Sequence, residues 1–582
     1  MWQPDSLSSV WSSPWQKLST FQWTTSIGGY SWPSLLVWSL GVVVLFWLVL
    51  AVVSALQQWL VNMYRWLFTP CYKNIPFAGK PDNLSWWRYL LYGHASFAAM
   101  MAPPSEIASW FLRTRDALHS EIFSYCFMFL APRIALVSPE AAKHVMVKNV
   151  RNYVKPPMVR QGLSNLLGNK GILLAEGDDH ARQRRIILPA FHFDALVHLG
   201  PIFRTQGRLV VERWLQQQAA AGKTTSVDVH LDMTQVTMNV IALAAFGYDP
   251  MTDSGQELYR AYREIFTQRP PSRILSLLFS LLPSWLLRSL PLRLIRRQQR
   301  NVSLVKRKVT EIVQKRREEY EACAIMSEKE STKPPKRDLL DLLVAARDPE
   351  MEKKSSHLPW LTEEEITSQA LTFMAAGQVT TAVLLSWTLF ELSIHPRAQD
   401  KLRKELETLA ATTLEENDSM SQDARLVEKL DKLEYLDAVL RESLRLHPPV
   451  LFVTRQAVQQ DEILGFPISP GAIVNIPIVA LHRDPQQWGE DADTFSPERF
   501  IVGRGAADAA RQQHHPMAWL PFLYGTRACT GQRFAMLEAK TILFELLTRV
   551  SVRLQPGCEV KGYGMVSVPR DVHLQVFDLY KE

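Results

Sequence analysis

The run Pro521-Phe522-Leu523-Tyr524-Gly525-Thr526-Arg527-Ala528-Cys529-Thr530-Gly531 sets one cysteine between two glycines, just ahead of a helical pattern that continues to Arg549. A cysteine at a helix N-terminus meets free amides and the positive end of the helix dipole, which favour thiolate over thiol, and a thiolate is a soft metal ligand. Gly525 and Gly531 let backbone approach a flat ligand closely, Phe522 can shield the sulfur, and Arg527 can pair with a carboxylate. The alternative for a lone cysteine here is a small buried hydrophobe. The five cysteines (Cys71, Cys126, Cys323, Cys529 and Cys558) share no C-x-x-C spacing, which argues against a zinc site or a disulfide scaffold and for a reducing compartment.

This run resembles the haem-binding signature F-x-x-G-x-R-x-C-x-G of the cytochrome P-450 superfamily. A chance match to five specified positions in a chain this long is on the order of 1 in 10,000. The resemblance implies heme b with its iron ligated by the Cys529 thiolate, whose electron donation favours O–O cleavage. It also implies that Phe522, Gly525 and Gly531 shape the loop and that Arg527 pairs with a haem propionate.

Three further motifs agree. Glu442-Ser443-Leu444-Arg445 resembles the superfamily's E-x-x-R pair, and Pro497-Glu498-Arg499-Phe500 resembles its partner segment, which makes Glu442, Arg445 and Arg499 an expected buried triad. His180-Ala181-Arg182-Gln183-Arg184 resembles the W-x-x-x-R helix, with His180 in the tryptophan position and Arg184 keeping a propionate role. Thr454-Arg455-Gln456, just after Leu446-His447-Pro448-Pro449, places Arg455 where the family has another propionate-binding arginine. Solvated arginines are the bland reading of Arg184 and Arg455.

The cysteine loop needs an opposing wall. The clearest helix starts at Thr362, where Thr362 and Glu365 can form a capping box, and runs to about Ser393, ahead of Pro396. It is almost free of charge between Ile366 and Phe390, so it must be buried on most sides. Its middle, Ala376-Gly377-Gln378-Val379-Thr380-Thr381, resembles the oxygen-activation motif A-G-x-(D/E)-T-T, with Thr380 as the catalytic alcohol. Gly377 leaves room for a ligand or a distorted turn, although packing is the commoner use of such a glycine. Val379 stands in the acid's position, which puts the usual proton relay in doubt. Ala376 occupies the place of the haem-linking glutamate of fatty-acid ω-hydroxylases, so no haem ester is expected.

The rest of the body reads as mainly α with small β-sheets. Strand-like material is concentrated between Phe452 and Asn475, and polar breaks fall near residues 326–338, 347–357, 412–424 and 503–515. At 582 residues, 47% hydrophobic and 21% charged, the chain can bury a large core, and a net charge of +7 without a basic tail lends no support to nucleic-acid binding.

Ahead of the body, no charge occurs from Ser31 to Tyr64, and the 22-residue segment Leu35–Leu56 is apolar and long enough for one N-terminal transmembrane helix. A cleaved signal peptide would have a basic start and a shorter apolar run. Arg65, Lys73, Lys80 and Arg88 follow the helix, against Asp5 and Lys17 before it, so the positive-inside rule puts the body in the cytosol and residues 1–34 in the lumen. The expected domains are therefore 1–34, the span 35–56, a proline-containing linker 57–102 with a stiff stretch at Pro70–Pro81, and a catalytic domain 103–582. A second apolar stretch, Ile274–Leu287, is only 14 residues long and flanked by arginines, as in an interfacial segment or a buried helix.

The resemblance implies a monooxygenase of the endoplasmic reticulum membrane that takes electrons from an NADPH-dependent cytochrome P-450 reductase and O2 for a hydrophobic small-molecule substrate, in the manner of microsomal fungal enzymes of secondary metabolism. Expected pocket walls are Leu371, Met374, Val450–Val453 and Phe279. An oxygen-independent haem-thiolate isomerase or dehydratase is the alternative enzyme, and a non-catalytic haem sensor is a third reading.

Overall fold

The computed structural model describes residues 32–580 except 81–84, 87–88, 91–92, 95–101, 222–224, 250–251, 268–292, 331–337, 346–360, 414–421, 502–513 and 564–565. The stretch Ile274–Leu287 with Phe279, and residues 1–31, lie outside the described residues.

Contacts divide the chain into two units, residues 1–60 with 270–290 and residues 61–269 with 291–582. The described part of the first is helix. That helix, Trp32–Phe68, continues past the expected end at Leu56, because no glycine or proline interrupts the chain between Gly41 and Pro70. Its stretch Leu45–Phe68 is long and apolar enough to cross a membrane, with mean hydropathy 1.6 and 6% of its most apolar window buried. Val229–Phe246 and Glu363–Ile394 also have the length and composition, but each is 67% buried inside the body, so their apolar surface serves the core.

The second unit is mainly α with small sheets. Glu363–Ile394 runs through its largest core cluster, against Val229–Phe246 on one side and Gln532–Leu547 on another. The expected capping box is present: the Thr362 hydroxyl accepts from the Glu365 amide (3.2 Å), and the Glu365 carboxylate accepts from the Thr362 amide (2.8 Å).

Strands Phe452–Ala457 and Ile473–Pro477 lie where the sequence places them. They join a five-stranded sheet in the order Ile122–Phe127, Ala131–Leu136, Ile473–Pro477, Phe452–Ala457, Tyr153–Val154. The pairing of Ala131–Leu136 with Ile473–Pro477 is parallel and the others are antiparallel. A three-stranded sheet brings Thr225–Asp228 beside the C-terminal strands His573–Asp578 and Val550–Leu554.

Pro70–Phe77, expected as part of a stiff connector, packs into the body. Cys71, Tyr72 and Ile75 are buried, the Cys71 amide donates to Ser469 Oγ (3.3 Å), and Phe77 bridges to Ser124. Three apolar side chains in five residues make burial more favourable than exposure.

Candidate active site

The Cys529 loop closes on itself. Its amide donates to the Phe522 carbonyl (2.8 Å), and Arg184, on the helix Gly177–Ile187, reaches over to donate to the Ala528 carbonyl (2.7 Å). Gly525 has φ +71°, and a Cβ there would meet the Met146 carbonyl oxygen at 3.2 Å, so the turn requires glycine. Gly531 caps the helix Gln532–Leu547, with Cys529 just before it as expected. The cysteine is open to a recess of about 390 Å³ bordered by Trp519, Phe522, Arg533 and Lys540. Protein atoms nevertheless crowd the sulfur. This burial pushes the thiol up, against the Gly531 and Gln532 amides and Arg184, which favour the thiolate.

The basic residues do converge. His180 is buried, and its ring is held to about 4 by burial and then by Arg527, Lys155 and Arg184, so it is neutral at pH 7. Burial lowers Arg455 to about 10, and among the described residues its guanidinium donates only to the Thr454 carbonyl (2.9 Å). Arg527 donates to the Ala175 carbonyl (3.0 Å) and pairs with Glu176. Glu176 also pairs with Lys155 (3.1 Å), whose amine is lowered to about 8 by burial, with Arg527 and Arg455 adding to the effect. Lys155 and Glu176 were not singled out from the sequence. Neither belongs to a spaced motif, and no signal in the chain marks them.

Opposite the loop, the long helix is buried from Ser368 to Met374 and from Thr381 to Leu389, but half-open or exposed at Ala375, Ala376, Gly377, Val379 and Thr380. The Ala376–Thr381 motif therefore coincides with a window in an otherwise buried helix. Phe191 links the two walls: its ring packs edge-on against Phe373 (5.3 Å) and lies 3.9 Å from where a Gly531 Cβ would sit. The Thr380 hydroxyl donates to the Ala376 carbonyl (2.7 Å). Gly377 does not make room for a ligand. A Cβ there would meet Ile241 Cδ1 of Val229–Phe246 at 3.0 Å, so close helix packing explains the glycine. Leu371 and Met374, expected as pocket walls, are packed in the core, whereas Val450 is exposed. Behind the window, burial holds the Glu538 carboxyl well above the usual carboxylate range, tempered by the Thr381 hydroxyl.

The triad forms. Arg445 donates twice to Glu442 (2.7 and 2.8 Å), both side chains are fully buried, and Arg499 lies 3.4 Å from the same carboxylate.

These residues fit a haem: an accessible sulfur, an open helical window, and a half-buried Arg455 with no carboxylate of its own beside Arg184, Arg527 and His180.

The sequence profile of the family described as Cytochrome P450 matches residues 112–563. Cytochrome P450 monooxygenase 205 of Postia placenta is 33% identical over 442 residues, covering 71% of this chain and 76% of the relative. The 11-oxo-beta-amyrin 30-oxidase of Glycyrrhiza uralensis is 31% identical over 439 residues, covering 74% and 76%. The crystal structure of the cytochrome P450DA heme domain superposes with a TM-score of 0.66 at 23% identity, covering 87% of this chain and 97% of that one, and speaks for the fold. Motif, fold and relatives agree, and the chain belongs to the cytochrome P450 family, as a haem-thiolate monooxygenase and an oxidoreductase.

Proposed function

We propose that this enzyme inserts one oxygen atom from O2 into a hydrophobic small molecule, by hydroxylation or a related oxidation in secondary metabolism. It works on the cytosolic face of the endoplasmic reticulum membrane with electrons from an NADPH-dependent cytochrome P-450 reductase. What supports this reading is the family match together with the accessible Cys529 in its glycine-bounded loop and the half-open stretch Ala375–Thr380 in an otherwise buried helix. Heme b, when bound, would supply oxygen activation, and the Cys529 sulfur would hold its iron.

The chain's own residues have separable tasks. Arg184, Arg455 and Arg527 would hold the propionates, with neutral His180 as an N–H donor beside them. Thr380 Oγ1 presents a proton or a water at the window, and Val379 beside it can relay neither. The apolar surroundings exclude bulk water and select a hydrophobic substrate. Exposed Arg533 borders the recess on Cys529 and suits an acidic redox partner, while Arg441 beside it is paired with Asp437 (2.5 Å). The relative from Glycyrrhiza uralensis is named as an oxidase of 11-oxo-beta-amyrin, which places a terpenoid among the substrate classes to try first.

Val379 favours one second reading, an isomerase or dehydratase that needs no proton relay. Reconstitution with microsomal NADPH reductase decides between them. A ligand that shifts the haem spin state should be oxidised with matching consumption of NADPH and O2. Turnover without either would establish the isomerase instead.

A further inference from the structure

Four arginines are buried among the described residues: Arg115, Arg133, Arg445 and Arg483. Three of them have carboxylate partners. Arg115 pairs with Asp484 (2.6 Å), Arg445 with Glu442 (2.7 Å) and Arg483 with Asp493 (2.5 Å). Arg133 is the exception. It is 7% exposed, its Nη1 is enclosed without an acceptor, and its guanidinium lies over the Phe127 ring at 5.3 Å. The groups acting on it are the Tyr125 and Tyr72 hydroxyls and a second cation, Arg65, with no acid among them. A buried cation without a counter-ion is costly unless an anion is supplied.

Its position indicates which anion. Arg133 stands opposite Tyr125 on the hairpin Ile122–Leu136, whose turn is held by the end of the anchor helix: Asn62 Nδ2 donates to the Phe129 carbonyl (2.8 Å) and Trp66 Nε1 to the Leu130 carbonyl (3.1 Å). Phe129 and Leu130 adopt φ +54° and +56°, a left-handed pair that these two bonds help to hold. Arg65 is the first charge after the uncharged run from Ser31 to Tyr64. Around it, Tyr64, Leu67, Phe68 and Phe77 are exposed, an apolar and aromatic rim of the kind found at headgroup level. Cations inside an apolar rim suit a phosphate that carries acyl chains better than a free ion.

We propose that Arg133, together with Arg65, binds the phosphate of an anionic phospholipid headgroup at the inner end of the anchor helix. This rests on the membrane reading of that helix but not on the haem chemistry.

The full-length protein would be placed in nanodiscs of phosphatidylcholine alone or of phosphatidylcholine and phosphatidylserine in equal parts. Preference for fluorescent phosphatidylserine over phosphatidylcholine and thermal midpoint would both be read. Wild type should prefer phosphatidylserine and unfold at a higher temperature in the anionic discs. Arg133→Gln should lose that rise and about fivefold of the preference, Arg65→Gln should lose part of both, and Arg133→Lys should keep part. Equal responses of wild type and Arg133→Gln would overturn the site. If Arg133→Gln does not fold, wild-type behaviour of both Arg65→Gln and Arg133→Lys would do so. An Arg133-dependent rise reproduced in full by inorganic phosphate in neutral discs would overturn the lipid source. Carbonate extraction of the wild type would refute the span by itself, separately from these results.

Discussion

At the scale of single residues, the chemistry rests on Cys529 and Thr380, and the two can be tested apart. Cys529→Ser should fold at least in part, because the loop is also held by the Phe522 carbonyl and Arg184. Its reduced carbon-monoxide complex should lose the red-shifted Soret band of a thiolate-ligated haem, and an unchanged spectrum would remove Cys529 as the ligand. Thr380→Ala takes away the one hydroxyl of the motif that lies in the window, since Thr381 is buried. Product per NADPH should fall by about tenfold or more as electrons are diverted to peroxide, while Val379→Glu should leave coupling unchanged or improve it with poor substrates. Peroxide release and yield that do not move in Thr380→Ala would advance the isomerase reading.

At the scale of elements, the C-terminal end of the long helix is tied to the segment after Glu434–Leu446 through one carboxylate. Glu391 accepts from His447 (2.6 Å) and lies 3.3 Å from His395, and His447 stacks on Trp387 with ring centroids 3.9 Å apart. Burial alone would raise Glu391, but the two histidines outweigh it and hold the carboxyl at about 2. A depressed carboxyl stabilises the fold fully above its unfolded value of 4.5, and this contribution disappears as pH falls toward 2. Glu391→Gln should therefore cost up to about 3 kcal/mol at pH 7 and much less at pH 3, read by denaturant unfolding at both values. An equal loss at the two pH values would assign the effect to packing.

The long helix, its capping box, the triad and the cysteine loop were legible because each is local or carries a spaced motif. The strands Ile122–Phe127 and Ala131–Leu136 were not, since a sheet buried on both faces shows an apolar run rather than an alternation. Lys155 and Glu176 reach the site only through tertiary packing. At Gly377 the sequence leaves a ligand, a distorted turn or packing open, with packing the commoner use; the packing neighbour is Ile241, a contact that no local pattern encodes.

At the scale of the whole molecule, residues 61–68 of the helix Trp32–Phe68 count with the second unit. Truncation of residues 1–60 should leave body stability near wild type. Truncation of residues 1–68 removes the Asn62 and Trp66 hydrogen bonds and should lower stability by about 2 kcal/mol or more, measured by thermal unfolding of the two truncated proteins. Equal stabilities would show that the turn at Phe129 and Leu130 holds its own conformation.

The parallel pairing of Ile134 with Val474 also has a meaning in time. Val474 follows Ile134 by 340 positions of chain. At roughly 5–20 residues per second, a ribosome takes about 20–70 s to deliver the second strand after the first. Throughout that interval the hairpin Ile122–Leu136 waits with one hydrogen-bonding edge unpaired, and the cysteine loop is still unmade. Biosynthesis thus sets a wait during which this apolar edge needs shelter, so slower translation between the two strands should raise the demand for chaperones, while a change after Val474 should not.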